Sequence, residues 1–245
     1  MEHLAPVLPA LASLIALQKL DTAADAVRKR LAELPAEMQA IDADLAAAAA
    51  ALDGVKGRLQ ENQHARRALE KDVAAVDVRL ARFDDHKAAV KTNQEYTALL
   101  HEISGAKKEK DAIEEKILVL MESADQLAAE LKADERALAE KKQHGDKAKA
   151  ALGGEKAQLD AELARLAHER TGETRGVDAP VLARYEQLLK QRRGIAVSRM
   201  VGEMCTTCHV RLRPHIAQII RRNDEIVPCE SCHRILYYVE PAPGT

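Results

Sequence analysis

From Leu20 onward, apolar side chains recur at alternating steps of three and four: Leu20, Ala24, Val27, Leu31, Leu34, Met38, Ile41, Leu45, Ala48, Leu52, Val55 and Leu59, then Leu69, Val73, Val76, Leu80 and Phe83. Only Asn62 and Arg66 interrupt the series. A three-four alternation held this long is a heptad seam, the signature of a coiled-coil helix. A second series, Ile113, Ile117, Leu120, Ala124, Leu127 and Leu131, continues through Leu138, Leu152, Leu159 and Leu166. Between the two lies an interruption around residues 84–95. Each seam needs a partner, and the nearest is in the same chain, so the pattern predicts a long antiparallel coiled-coil hairpin with its tip at about 84–95. Arms of about 75 residues would each extend roughly 110 Å at 1.5 Å per residue. Folding the chain about residue 89 sets Pro35 opposite Gln143 to Gly145. Proline and glycine both weaken a helix, so a kink or hinge is expected at that height. Gly153 and Gly154 weaken the second arm near its end.

The periodicity stops at residues 171–177, a Gly- and Thr-containing stretch expected to be a linker. Beyond it, Asp178 and Pro180 offer a helix start, Leu182, Tyr185, Leu188 and Leu189 give a short amphipathic helix closed by Gly194, and Ile195 to Val201 alternates as a strand does. The expected organisation is therefore a hairpin over 1–170, the linker, and a small α+β module over 178–245, with the chain as a whole mainly α. Composition supports the division. Of 245 residues 47% are hydrophobic, yet Phe83, Tyr96, Tyr185, Tyr237 and Tyr238 are the only aromatic ones, so a compact single-core enzyme is not expected. Residues 1–176 carry 27 Lys and Arg against 32 Asp and Glu, and residues 177–245 carry ten against seven; the C-terminal module is the basic part. No stretch reaches the roughly 18 consecutive apolar residues of a membrane span. The run Leu4–Leu17 follows Glu2, lacks a basic leader and is interrupted by Pro6 and Pro9, unlike a signal peptide. A cytoplasmic protein with no membrane association is expected.

In a reducing compartment four clustered cysteines point to a metal before a disulfide. Cys205 and Cys208, then Cys229 and Cys232, form two CxxC pairs with twenty residues between them. Each CxxC turn aims two thiolates at one ion, and two turns complete a tetrahedral shell, so one structural zinc is expected. So small a segment, with few large apolar groups, needs such a staple; structural zinc contributes on the order of 10–16 kcal/mol to folding. A closed four-thiolate shell leaves no open position for catalysis. His209 and His233 follow the two pairs, and CxxCH is also the attachment pattern for c-type haem, which makes a dihaem protein the competing reading. The other account of both histidines is conformational: a residue after a zinc knuckle often needs positive φ, which His tolerates better than branched residues. Around the cysteines stand Arg192, Arg193, Arg199, Arg211, Arg213, Arg221, Arg222 and Arg234. Their forks suit phosphate oxygens and make nucleic-acid binding, RNA above all, a candidate activity. Part of that charge balances the metal centre, which carries −2 with four thiolates. Tyr237 and Tyr238 are candidates to stack bases, or to pack in a terminal strand.

The interruption between the arms holds Phe83, Lys91, Asn93, Glu95 and Tyr96, candidate residues of a protein-docking tip; alternatively Phe83 and Tyr96 close the bend over each other. Lys91-Thr-Asn-Gln-Glu-Tyr96, Leu99–Ile103, Ile113–Glu122, the first knuckle and Pro228–Tyr237 together resemble a family of bacterial proteins with a long coiled-coil hairpin and a C-terminal four-cysteine zinc ribbon. His209 and His233 depart from it, standing where glycine is more usual. The resemblance implies the four zinc cysteines residue by residue. It also implies a role like that of a family member that regulates flagellar biogenesis by binding an alternative sigma factor and a flagellin messenger RNA; other relatives are linked to secretion. No catalytic arrangement, phosphate loop or small-molecule site is legible. Two functions remain open on the sequence: a non-enzymatic adaptor or regulator binding RNA, a sigma factor or another protein, and a structural spacer whose zinc only staples a fold.

Overall fold

A computed structural model describes residues 7–239. The parts of the expected domains at 1–6 and 240–245, with Glu2, Leu4 and Pro6, lie outside the described residues. Two long helices dominate, α1 (Pro9–Lys87) and α2 (Asn93–Thr174), joined by a short turn. The helices thus close the gap to the turn between Lys87 and Asn93, and the segment expected to be a linker is helical as far as Thr174. After it come α3 (Ala179–Gln191), β1 (Val197–Val201), β2 (Met204–Cys205), α4 (Pro214–Arg222), β3 (Val227–Pro228) and β4 (Ile235–Tyr238). No helix among the described residues is long and apolar enough to cross a membrane.

The chain forms two compact units. One is the paired middle of the hairpin, Gln39–Lys149. Here Leu52, Val55, Val76, Ala106, Leu127 and Leu138 are buried along the seam, and ion pairs cross between the arms at Asp44–Lys141 (3.0 Å), Arg58–Glu130 (2.7 Å) and Asp77–Lys110 (2.7 Å). Exposed pairs of this kind add little stability but disfavour other registers. The register differs from the expected one: folding about residue 89 would set Asp77 beside His101, whereas it meets Lys110. The turn itself, between Lys87 and Asn93, is centred near residue 90 as expected, and the nine-residue offset lies in how the two arms are aligned against each other. Gly145 correspondingly faces Ile41 and Leu45, not Pro35. A Cβ there would lie 3.2 Å from the Ile41 Cγ2 and the Leu45 Cδ1 atoms, so this glycine admits a close helix approach; α2 passes through it, and α1 through Pro35, without a break. Asn62 interrupts the seam and donates from Nδ2 to the Leu120 carbonyl, 3.1 Å away. A lone polar side chain at such a position favours one register at some cost in stability, here visible in its buried Oδ1 without a partner.

The other unit joins the hairpin base, the residues up to Met38 and from Ala150, to the C-terminal module. The sheet order is β2-β1-β4-β3, with β1 and β4 parallel in the middle. Side chains alternate across a strand, and the two faces of this sheet serve two cores. Val197 and Ile235 join Leu11, Leu14 and Leu17 of α1 and Tyr185 and Leu188 of α3. Met200 and Leu236 turn to the other face and join the cysteines with Leu212, Ala217 and Ile220. Polar clamps fix the assembly. Gln18 of α1 accepts from the Ala196 and Val197 amides (2.6 and 2.9 Å) and donates to the Gly194 carbonyl (2.8 Å). Asn223, the left-handed cap of α4, exchanges two 2.9 Å bonds with the Tyr238 main chain, and its carbonyl accepts from the Leu8 amide at 2.8 Å. Buried Asp21 accepts from Arg170 of α2 and Tyr185 of α3, both at 2.8 Å. Burial, and then the bond to this carboxylate, raise the Tyr185 phenol well above its ordinary value.

Asp21→Ala leaves the buried Tyr185 hydroxyl without its acceptor, a loss of about 1–3 kcal/mol, and leaves Arg170 with Glu186 alone, 3.5 Å away. Thermal unfolding of the zinc-loaded chain should show Asp21→Ala lowering the melting temperature more than Asp53→Ala, on the exposed face of α1; equal effects would contradict the clamp.

Candidate functional site

The four cysteines meet at one point. Their sulfurs all lie within 4.8 Å of one another, with Cys205 Sγ to Cys232 Sγ at 3.9 Å and Cys208 Sγ to Cys229 Sγ at 3.7 Å. A tetrahedral ion with bonds of about 2.3 Å requires sulfur–sulfur edges of about 3.8 Å, so the residues present fit zinc; a disulfide would need about 2.05 Å. All four cysteines are unbridged. The two haems of the competing reading would need their cysteine pairs apart, and these face each other.

Local chain geometry explains the convergence. In the first knuckle the Cys205 amide donates to the Val210 carbonyl and the His209 amide to the Cys205 carbonyl; Cys229 does the same with Arg234 and His233. Closing each loop in this way requires the residue after the second cysteine to be left-handed, and His209 and His233 have φ of 57° and 62°. Both imidazoles are exposed, in keeping with the conformational account of their presence. Cys205 and Cys229 are fully buried. In their thiol forms burial pushes Cys208 up to about 12 and raises Cys229. Burial also acts upward on Cys232, but main-chain and side-chain bonds at Arg234 outweigh it and bring this thiol to about 7.

The sequence did not single out Ser198. It is buried on the metal side of β1, with Oγ 3.4 Å from the Cys205 sulfur and 2.7 Å from the Thr207 hydroxyl. Such outer hydrogen bonds orient ligands and tune a metal site. A serine at an inward strand position two residues from Met200 was the available signal.

The arginines separate by surroundings. Arg234 donates to the Ile195 and Arg192 carbonyls (2.8 and 3.1 Å), which binds the second knuckle to the end of α3. Arg211 pairs with Glu203 (3.0 Å) and Arg213 with Glu230 (3.1 Å). Arg192 is half-buried, with Nε lacking a partner, and Arg199 is exposed on β1. Arg193, Arg221 and Arg222 are exposed without an acidic partner among the described residues. Arg221 and Arg222 form the last turn of α4, whose other face buries Ala217 and Ile220 beside the metal site. Tyr237 and Tyr238 are half-buried and pack against the two cores, one on each face of the sheet.

Two family models match. One, the CT398-like coiled coil hairpin domain, spans residues 17–193, and the other, a C4-type zinc ribbon domain, spans 204–236. The chain belongs to the CT398-like coiled-coil hairpin family. Among curated proteins it is 26% identical to the uncharacterized protein Rv2229c of Mycobacterium tuberculosis, over 93% of this chain and 95% of that one. Among solved structures it resembles CT398 of Chlamydia trachomatis (TM-score 0.79, 24% identity, 94% of this chain and 97% of that one). HP0958 of Helicobacter pylori is more distant (TM-score 0.56, 15% identity, 96% and 99%). These likenesses establish the fold. Neither matching family is an enzyme class, and the zinc ribbon match together with the four clustered cysteines assigns one structural zinc.

At the family's hairpin tip, Thr92 Oγ1 accepts from the Glu95 amide (3.3 Å) and the Thr92 carbonyl from the Tyr96 amide (3.1 Å). Part of the Lys91–Tyr96 motif is therefore a helix cap, with Thr92 and Glu95 in capping-box spacing. Lys91, Asn93 and Glu95 are exposed, Phe83 is half-buried, and Tyr96 is 39% exposed. Phe83 lines a cleft at the turn together with Val90, Glu95 and Leu99.

Metal analysis should return one zinc per chain, lost on Cys205→Ser or Cys229→Ser. Ser198→Ala should keep that stoichiometry but release zinc to a chelator several-fold faster, in line with outer-shell losses of about 10-fold or more in affinity; an unchanged release rate would contradict the role given to Ser198.

Proposed function

We propose that this chain is a non-enzymatic adaptor or regulator whose zinc ribbon contacts RNA and whose hairpin carries a protein partner, such as a sigma factor or another transcription, flagellar or secretion factor. The supporting observation is the fate of the arginines. Arg211, Arg213 and Arg234 are engaged within the ribbon, whereas Arg221 and Arg222, adjacent at the end of α4, form no ion pair among the described residues. The C-terminal end of a helix already stabilises cations through its dipole, and the metal core fixes α4, so the pair presents two guanidinium groups in one place. Phosphate contacts from such groups give sequence-tolerant, salt-dependent affinity. Reading of particular bases would have to come from elsewhere.

Fluorescence anisotropy with a single-stranded RNA tests this. Arg221→Ala combined with Arg222→Ala should weaken binding uniformly across sequences and reduce the slope of log affinity against log salt by about 1.4, at about 0.7 per phosphate contact on single strands. Metal content and melting temperature should be unchanged. If the chain retains no RNA at low salt, or the double variant binds as the parent does, the ribbon is a fold staple and the spacer reading stands.

A further inference from the structure

The ion pairs that cross the hairpin do not continue to its tip. Among the described residues the last ones toward the turn are Asp77–Lys110 and Arg79–Glu109. Beyond them the arms and the turn enclose an open cleft of about 440 Å³, with Phe83, Val90 and Leu99 in its walls. Glu95 and Glu102 line the same cleft. They stand seven residues apart on α2, and so on one face. Neither has an ion-pair partner among the described residues, and no lysine or arginine lines the cleft. Carboxylates beside an apolar hollow are not placed there by the hairpin's own pairing, which uses Asp77 and Glu109 at the next level. Leu100 and Tyr96, in the same first turns of α2, are 42% and 39% exposed.

We infer that the hairpin tip is a docking site for a cationic amphipathic helix of a partner protein, which seats apolar side chains on Phe83, Val90 and Leu99 and sets Lys or Arg residues against Glu95 and Glu102. The charge of the cleft selects the class of partner. Seven residues of helix span roughly 10.5 Å, so basic residues two turns apart on the partner match the two carboxylates, with its apolar positions between them. A size of a few hundred Å³ accommodates several side chains and exceeds what a single methyl-bearing residue would fill. This reading is separate from RNA binding by the ribbon, and it holds or fails without it.

The probe is a synthetic 18-residue helical peptide of Leu and Lys in amphipathic spacing, compared with one carrying Glu at every Lys position, each labelled and titrated with the zinc-loaded full chain. The Lys peptide should bind and the Glu peptide should not. Glu95→Gln with Glu102→Gln, which preserves shape, should raise Kd at least threefold at low salt, while Glu135→Gln with Glu140→Gln elsewhere on α2 should change it less than twofold. Val90→Asn should also weaken binding, with helicity by circular dichroism retained. The inference is overturned if the Lys peptide does not bind, if the Glu peptide binds equally well, or if the tip pair of substitutions has no larger effect than the control pair.

Discussion

Four thiols brought to within 4.8 Å of one another are the constraint on which the C-terminal module of this protein depends. The module around them has strands of two to five residues and one nine-residue helix, too little to hold a fold by ladder bonds and burial alone. Two knuckles joined through one ion fix the ends of β2 and the loop before β4, and that fixes which faces of β1 and β4 look inward. The parallel β1–β4 pair then works as a wall shared by two cores. Met200 and Leu236 belong to the metal side, Val197 and Ile235 to the hairpin base. Through that wall the order imposed by zinc reaches Leu11, Leu14 and Leu17 of the first helix.

The base of the hairpin and its middle are held by different physics. At the base, large buried side chains are combined with polar clamps in which one residue serves several elements: Asp21 ties three helices, Gln18 joins a helix to a strand start, and Asn223 links α4, β4 and the chain leading into α1. Losing any of them leaves buried groups unpaired. In the middle unit the seam consists mostly of small aliphatics, and specificity comes from ion pairs, from Asn62 and from the absent side chain of Gly145. The few aromatic rings follow the same division: Tyr185 and Tyr237 lie in the base core, Tyr238 beside the metal, and Phe83 and Tyr96 at the tip.

Much of this architecture was legible in the residues because it rests on periodic or spaced signals. The heptads announced the two long helices, the paired CxxC turns announced the metal, and His209 and His233 were rightly attributed to backbone conformation. Register was not legible from the seam alone, since a heptad slip leaves the same residues inside; the true turn depends on where α1 frays and on the Thr92 cap. Helix α4 escaped because nine residues give too few turns for a period to stand out, although Pro214 marks its start. The arginines show the same limit differently. Nothing in the spacing of Arg211, Arg213 and Arg234 says that they face Glu203, Glu230 and main-chain carbonyls, while Arg221 and Arg222 form no ion pair among the described residues. Gln18 was invisible for that reason too: its role exists only once strands and helices are placed.

A metal-centred ribbon built into the base of a coiled-coil hairpin gives the protein a rigid basic module whose integrity is conditional on zinc. The most direct test of that account is hydrogen exchange on the zinc-loaded and zinc-stripped chain. The account predicts that stripping zinc removes protection from residues 197–238 and reduces it in Leu11–Leu17 and in α3, while Gln39–Lys149 exchanges as before. If the hairpin base kept its full protection after zinc is removed, the shared wall would carry no support from the metal, and the central claim would fail.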